Sequence, residues 1–124
     1  MAYSVVIADD DADIRALVEI SVRKAGLELV AAVADGAAAL AAIRRFNPDL
    51  AILDVSMPEM TGLQVVREMR SDDSVGDVRV LLLTASVDEG TRSIGVEAGA
   101  DHFIAKPFSP RELTAWLAVG KEVQ

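Results

Sequence analysis

Short apolar runs, rich in β-branched residues, recur along the chain and are separated by longer stretches of mixed polarity. Runs of this kind, bounded by polar or turn residues, are typical of strands that are buried on both faces of a parallel sheet. The pattern predicts strands at Ser4–Ala8, Glu28–Val33, Leu50–Leu53, Val78–Leu83 and Asp101–Ala105.

The stretches between these runs carry apolar residues at the spacing of one helix face. Gly26 and Gly99 stand where helices would end, and Ser109–Glu112 has the form of a capping box with proline at the first helical position. The fourth stretch is less regular, because Gly90 and Gly95 lower its helix propensity. The predicted helices are Ala12–Ala25, Ala37–Phe46, Gly62–Arg70, Val87–Ala98 and a last helix that begins at Pro110.

Strands that alternate with helices in this way predict an α/β fold, a doubly wound parallel sheet of five strands with five helices on its two faces. The common strand order for such a sheet is 2-1-3-4-5, with a switch point between the first and third strands. Ligands bind outside the carboxyl ends of the strands at such a point. Polar residues that follow the first and third strands are therefore the first candidates for chemistry.

The composition agrees with one domain, which we expect to span residues 1–124. Hydrophobic residues make up 52% of the chain and charged residues 26%, which argues against disorder. The net charge of −8 disfavours direct binding to nucleic acid, whose affinity depends on lysine and arginine. There is no cysteine, and the sequence shows neither a leader pattern nor an apolar run of membrane length. We expect a cytoplasmic protein without membrane contact.

Polar side chains follow four of the five predicted strands. Asp9 and Asp10 follow the first strand, Asp54 the third, Thr84 the fourth and Lys106 the fifth. In a sheet of the predicted order all of them lie on the carboxyl edge, so we expect them to converge on one site. Each also has a simpler interpretation, as a turn cap, a strand end or a salt-bridge partner. Their coincidence favours a site.

Three neighbouring carboxylates repel one another, so either their pKa values rise or a cation lies among them. Oxygen ligands favour Mg²⁺, which usually binds one or two carboxylates together with a substrate phosphate. Lys106 would pair with an incoming anion, Thr84 would donate a hydrogen bond to it, and Asp54 is available as the nucleophile. These residues predict a phosphoryl-transfer site.

From the first strand to the last helix, the chain resembles the CheY-like receiver domain of response regulators in two-component signalling. The segments VVIADDDADIR, AILDVSMPEMTG, VLLLTAS and GADHFIAKPF carry this resemblance. The matching positions are the acidic pair Asp9 and Asp10, the phosphoacceptor Asp54, the hydroxyl residue Thr84, the switch aromatic Phe103, and the lysine with its proline, Lys106–Pro107.

The resemblance implies the flavodoxin-like fold of these domains and transfer of a phosphoryl group from a phosphohistidine to Asp54. It implies that Asp10, Asp54 and the backbone carbonyl of Ser56 bind Mg²⁺, and that Asp9 acts through water. Lys106 would contact the phosphoryl group. The resemblance also implies a cis peptide before the proline that follows this lysine.

Two positions depart from the usual pattern of the family. Phe103 replaces a frequent tyrosine and lacks its hydroxyl group, and Thr61 occupies a position that is often acidic. Thr84 and Phe103 would form the switch that couples the site to the surface. Trp116, at helical spacing with Leu113, is predicted to lie in the core.

The resemblance further implies partners on both sides of the signal. A sensor histidine kinase or a phosphotransfer protein would supply the phosphoryl group. A downstream output protein or domain would bind the face formed by the fourth helix, fifth strand and fifth helix, Val87–Val119. Phosphorylation could also produce a homodimer. The sequence is compatible both with a complete single-domain regulator and with a receiver domain of a longer protein.

An alternative of a different class is an aspartyl-phosphate-forming phosphatase that acts on an external substrate. Such enzymes usually place a second acid two residues after the nucleophile, where this chain has Ser56, and bind the substrate with an inserted cap segment that is missing here. A binding module that is never phosphorylated would lack an acid, the acceptor or the lysine, and none is lacking. We therefore expect a switch domain that assists only its own phosphorylation and dephosphorylation.

Overall fold

The computed structural model describes residues 3–85 and 88–122, and its strands form one parallel sheet. The strand order is β2-β1-β3-β4-β5, which confirms the predicted topology. The strands are β1 (Ser4–Ala8), β2 (Glu28–Val33), β3 (Leu50–Asp54), β4 (Arg79–Thr84) and β5 (His102–Ala105).

The helices lie close to their predicted positions. The fourth was predicted to begin at Val87, which lies outside the described residues; the structure has it begin at Glu89, after Asp88 as the N-cap. The helices are α1 (Ala12–Lys24), α2 (Gly36–Phe46), α3 (Gly62–Arg70), α4 (Glu89–Ala98) and α5 (Pro110–Glu122).

Each inner strand buries side chains on both faces, as its continuous apolar run predicted. On β3, Ala51 and Leu53 belong to the core beneath α2, α3 and α4, whereas Leu50 and Ile52 belong to the core beneath α1 and α5. All of these side chains are buried. The two cores hold the sheet between helices and fix the register of its strands.

The register brings the ends of β1 and β3 side by side. Val5 pairs with Leu50, and the ladder runs on to Ala8 opposite Leu53. The next residue of each strand is an aspartate, so the acidic residues after β1 face the last residue of β3. The carboxyl edge at the switch point is therefore acidic, as predicted.

Two glycines fix the loop that follows β3. A Cβ atom on Gly62 would lie 2.3 Å from the carbonyl oxygen of Asp54, and one on Gly36 would lie 1.9 Å from the carbonyl oxygen of Met60. The Gly36 N–H also donates a hydrogen bond of 3.2 Å to the carbonyl of Pro58. Only glycine permits such a close backbone approach, so the loop is held against α2 and α3.

The helix after this loop begins with a capping box that was not predicted. The Thr61 side chain accepts a hydrogen bond from the Gln64 N–H, and the Gln64 side chain accepts one from the Thr61 N–H. The box satisfies backbone donors that the helix cannot satisfy itself. Thr61 therefore has a structural role at the start of α3.

Candidate functional site

A cleft of about 580 Å³ opens at the carboxyl edge of the sheet. It contains the strand-end residues that were predicted to converge, together with parts of the neighbouring loops. Its lining residues are Asp10, Asp11, Ile14, Asp54, Val55, Ser56, Thr84, Ala85 and Lys106.

Asp9 lies beneath this cleft and is completely buried. Its Oδ1 accepts a hydrogen bond of 2.9 Å from the Asp11 N–H, and its carbonyl oxygen accepts one of 2.9 Å from Arg15 Nη1. Its Oδ2 lies 2.9 Å from Lys106 Nζ, an ion pair whose angles leave Oδ2 without a well-aligned hydrogen bond among the described residues. Asp9 is thus oriented by the backbone and retains one buried oxygen that is only partly satisfied.

Asp54, the last residue of β3, is only 6% exposed. Its Oδ1 accepts a hydrogen bond of 3.3 Å from the Ser56 N–H and lies 3.2 Å from Lys106 Nζ. Burial and the negative charge of Asp9 raise the pKa of the Asp54 carboxyl to about 6, against the opposing effects of Lys106 and the Ser56 N–H. Additional positive charge would therefore favour the ionised, nucleophilic form of Asp54.

Lys106 connects the end of β5 to the ends of three other strands. It follows β5, its N–H donates a hydrogen bond of 2.7 Å to the carbonyl of Thr84 on β4, and its ammonium group contacts Asp9 and Asp54. Burial acts to lower the pKa of Lys106, but its close interactions with the carboxylates of Asp9 and Asp54 outweigh the effect of burial, so the pKa is raised. The predicted cis peptide between Lys106 and Pro107 is present.

The acidic residues fit a hard divalent cation. One carboxylate oxygen from each of Asp9, Asp10 and Asp54 lies within 4.8 Å of the other two, and Asp10 is exposed at the mouth of the cleft. An oxygen donor set open to water on one side suits Mg²⁺, which keeps several water ligands. The partly satisfied Oδ2 of Asp9 agrees with this fit.

Of the two predicted switch residues, Thr84 lines the cleft and Phe103 does not. Thr84 lines the cleft and is 5% exposed. Phe103 is 8% exposed and does not line the cleft, because its ring packs against α4 at Gly95. The structure therefore brings Thr84 to the acidic site and places Phe103 between the sheet and α4.

Two residues were not predicted to support the site. Asp11 is the N-cap of α1, where its side chain accepts hydrogen bonds from Asp13 and Ile14 N–H groups. Arg15 holds the carbonyl of Asp9 from the first turns of the same helix. The preference of aspartate for N-cap positions could have indicated the role of Asp11, whereas no pattern in the sequence indicates the contact of Arg15 with a backbone carbonyl.

The chain matches a known protein family over most of its length. Residues 5–118 match the model described as the response regulator receiver domain. The chain belongs to this family. The match spans every strand except the first residue of β1, so the acidic cleft at the carboxyl edge is the cleft of a receiver domain.

Individual relatives agree with this assignment. The DNA-binding response regulator MtrA of Mycobacterium tuberculosis is 39% identical over 115 residues, which cover 93% of this chain and 49% of MtrA. The chain thus spans about half the length of the curated relatives it matches.

Solved structures give the same result for the fold. The chemotaxis response regulator CheY4 of Vibrio cholerae has a TM-score of 0.86 and 32% identity, with all of both chains covered. The receiver domain of the sensor histidine kinase PA1611 of Pseudomonas aeruginosa, solved with magnesium coordinated in its active site cleft, has a TM-score of 0.82 and 27% identity. That match covers 94% of this receiver domain and 95% of the PA1611 chain.

Membership in the family is consistent with phosphorylation-dependent signalling and gives no support to the alternative of a phosphatase with an external substrate.

Within residues 3–85 and 88–122, no helix combines the length and the apolar character that crossing a bilayer requires.

The first testable prediction concerns the cost of ionising Asp54. The pKa of this carboxyl is raised from 3.8 to about 6 on folding, so the folded receiver domain binds the proton more tightly than the unfolded chain. The contribution of Asp54 to the free energy of unfolding should therefore be most favourable below pH 4 and should decrease as pH rises to 6. At pH 7, without divalent cations, Asp54→Asn should be more stable than wild type, with a free energy of unfolding about 1–2 kcal/mol higher. This difference is smaller than the pKa shift alone implies, because water in the cleft screens the charges.

Urea denaturation at several pH values between 4 and 7 in the presence of a chelator would measure this difference. Asp73→Asn is the matched control, because it removes the same charge from an exposed loop. A difference between wild type and Asp54→Asn that does not change over this pH range would contradict the prediction.

Proposed function

We propose that this chain is a phosphorylation-dependent signalling switch in which Asp54 accepts a phosphoryl group from the phosphohistidine of a histidine kinase or phosphotransfer protein. The observation that carries the proposal is the position of Lys106 Nζ, 3.2 Å from Asp54 and 2.9 Å from Asp9 in an otherwise acidic cleft. A cation held there by two carboxylates can move to the oxygens of a phosphoryl group that is attached to one of them. This position of Lys106 supports transfer to Asp54.

The proposed reaction is a displacement at phosphorus. A carboxylate oxygen of Asp54 forms a bond to phosphorus as the bond between phosphorus and the donor imidazole nitrogen breaks. The electron pair of the broken bond remains on that nitrogen, which then binds a proton from water. Lys106 stabilises the negative charge on the phosphoryl oxygens, and Thr84 donates a hydrogen bond from its hydroxyl group to one of them.

Mg²⁺ would be held by Asp10, Asp54 and the backbone carbonyl of Ser56, and by Asp9 through water. The bound ion would neutralise charge on the transferring phosphoryl oxygens. The fit of the oxygen cluster and its open side support this assignment. The magnesium in the active site cleft of the PA1611 receiver domain supports it from a similar protein.

The acceptor and its product belong to the same chain, so we infer that the domain is not an enzyme for an external substrate. It would assist only its own phosphorylation and its own hydrolysis. Its donor would be a cytoplasmic kinase or phosphotransfer protein. The relatives that are about twice as long, including the DNA-binding regulator MtrA, suggest an output domain or a separate output protein as the recipient of the signal.

The output surface would be formed by α4, β5 and α5. Three of its apolar side chains, Ile94, Val96 and Val119, are 46%, 62% and 61% exposed, which leaves apolar area for a partner or for a second copy of the chain. Movement of Thr84 toward the phosphoryl group would change the packing available to Phe103 beside α4. The cleft and this surface would thus be coupled through β4 and β5.

Removing Asp10 should weaken binding of Mg²⁺ by about tenfold or more, because this exposed carboxylate is one of the few charged ligands. Asp10→Asn should also stabilise the metal-free protein, since it reduces repulsion within the acidic cluster. Isothermal titration calorimetry would measure the affinity. Asp13→Asn, an exposed residue of the first turn of α1, is the matched control. Equal affinity in wild type and Asp10→Asn would overturn the assignment of this ligand.

Acetyl phosphate with Mg²⁺ should add one phosphoryl group to wild type and none to Asp54→Asn, because Asp54 supplies the attacking oxygen. The adduct should be labile to base, as an acyl phosphate is. Intact-protein mass spectrometry would follow the reaction, with Asp73→Asn as a control that keeps the acceptor. An adduct that forms equally on Asp54→Asn would place the chemistry at another residue.

Thr84→Ala should accept a phosphoryl group on Asp54 but transmit the change poorly to α4, because the variant lacks the hydroxyl group that the phosphoryl group would attract. Amide chemical shifts measured with and without beryllofluoride, which mimics the phosphoryl group, would show smaller changes in α4 and at Phe103. Thr84→Ser keeps the hydroxyl and should respond like wild type. Changes in α4 that are as large in Thr84→Ala as in wild type would refute the coupling.

A further inference from the structure

The ring of Phe103 occupies a space on α4 that exists because residue 95 has no side chain. A Cβ atom on Gly95 would lie 2.3 Å from Cε1 and 2.5 Å from Cζ of Phe103. Carbon atoms of packed side chains lie about 3.5–4.0 Å apart, so the ring and a methyl group cannot share this space. Gly95 is itself buried.

Other groups complete the space around the ring. Leu82, which pairs with Phe103 in the sheet register, places its Cδ1 3.4 Å from the same Cβ position. The guanidinium carbon of Arg92 lies 5.7 Å from the ring centroid on the side of α4, within the range of a cation–π interaction. The buried position of the ring is therefore defined by Gly95, Leu82 and Arg92.

The nature of the obstruction determines what a substitution at Gly95 would move. The atoms that a Cβ would meet first belong to the far end of a side chain that can rotate about χ1, and not to backbone. Rotation of one ring between staggered rotamers is easier than displacement of a helix packed on the sheet. A methyl group at residue 95 should therefore drive the ring out of its buried position.

The same helix contains a second glycine with different surroundings. A Cβ on Gly90 would approach only the Oδ1 atom of Asp88, at 3.4 Å, which is ordinary contact. Replacement of Gly90 by alanine adds helix propensity without obstructing a neighbour. The weak helix propensity of α4 thus has a packing reason at Gly95 that is absent at Gly90.

We propose that Gly95 is a positioning residue that admits the Phe103 ring to its buried position and thereby sets the population of the two states of the α4–β5 surface. The part that concerns signalling rests on the function proposed above. The bulk of residue 95 determines how readily the ring enters, and Arg92 covers the ring once it is inside. Phosphorylation would then shift the equilibrium between these two states. Residue 95, on α4 and at a distance from the acidic cleft, would determine their populations before phosphorylation.

Thermal unfolding of a set of variants tests the packing. Gly90→Ala should raise Tm by about 3 °C through helix propensity, whereas Gly95→Ala should not raise it, because the displaced ring loses its burial. Phe103→Leu lacks the ring atoms that obstruct residue 95. In the Phe103→Leu background, Gly95→Ala should raise Tm about as much as Gly90→Ala. An equal rise from Gly95→Ala in both backgrounds would overturn the proposal.

The position of the ring can be measured directly. With ¹³C-labelled phenylalanine, nuclear Overhauser effects should connect the Phe103 ring protons to the Gly95 Hα protons in wild type. In Gly95→Ala these contacts should be lost, without new contacts between the ring and the Ala methyl group. Contacts between the ring and that methyl group would show that the helix had moved in place of the ring, and would also overturn the proposal.

The signalling part has a separate readout. Gly95→Ala should take up a phosphoryl group on Asp54 to the same extent as wild type, while the changes that beryllofluoride causes in α4 amide shifts should be at least about halved. Changes of wild-type size would overturn this part. Uptake by neither protein would overturn the proposed function and this part with it, and the stability and ring measurements would still decide where residue 95 places the ring.

Discussion

The carboxyl edge of the sheet depends on one interaction, the contact of the Lys106 ammonium group with both Asp9 and Asp54. Two buried carboxylates at the ends of adjacent strands repel each other, and the apolar strands beneath them keep water away. The ammonium group offsets this repulsion and also joins β5 to β1 and β3. It leaves Asp54 with a pKa raised to about 6, so the charges of the cleft are incompletely balanced. Such a site gains from a cation or from a group that redistributes the charge.

Much of this arrangement could be predicted because the apolar residues of the strands and the polar residues at the strand ends occupy separate positions along the sequence. Inner strands such as β3 must be apolar on both faces, so polar residues can appear only where a strand ends, and in a parallel sheet those ends share one edge. Asp9, Asp54 and Thr84 are buried polar residues for this reason. The order of the strands could be expected because it is the common one for a doubly wound sheet of five strands, the fold that the alternating pattern predicts.

The rest depends on which surfaces meet, and a one-dimensional pattern does not contain that information. Leu17 has helical spacing with the core residues of α1 but is 41% exposed, because the helix packs through Val18 and Val22. Trp116 was predicted to lie in the core, and it is only partly buried, stacked on His102 with ring centroids 4.9 Å apart. Both residues have the right periodicity. The packing of neighbouring helices decides how far each is covered.

The glycines around the sheet bear on the direction of the proposed switch, because they differ in what they contact. Gly36 faces the carbonyl group of Met60 and Gly62 that of Asp54, and a backbone held this closely on both sides has little freedom to move. Gly95 faces the tip of the Phe103 ring, which can rotate without breaking a backbone hydrogen bond. In the proposed switch, a displacement at the carboxyl edge would therefore meet a stiff boundary toward α2 and α3 and a compliant one toward α4. This difference in what each glycine contacts would direct the proposed response toward α4.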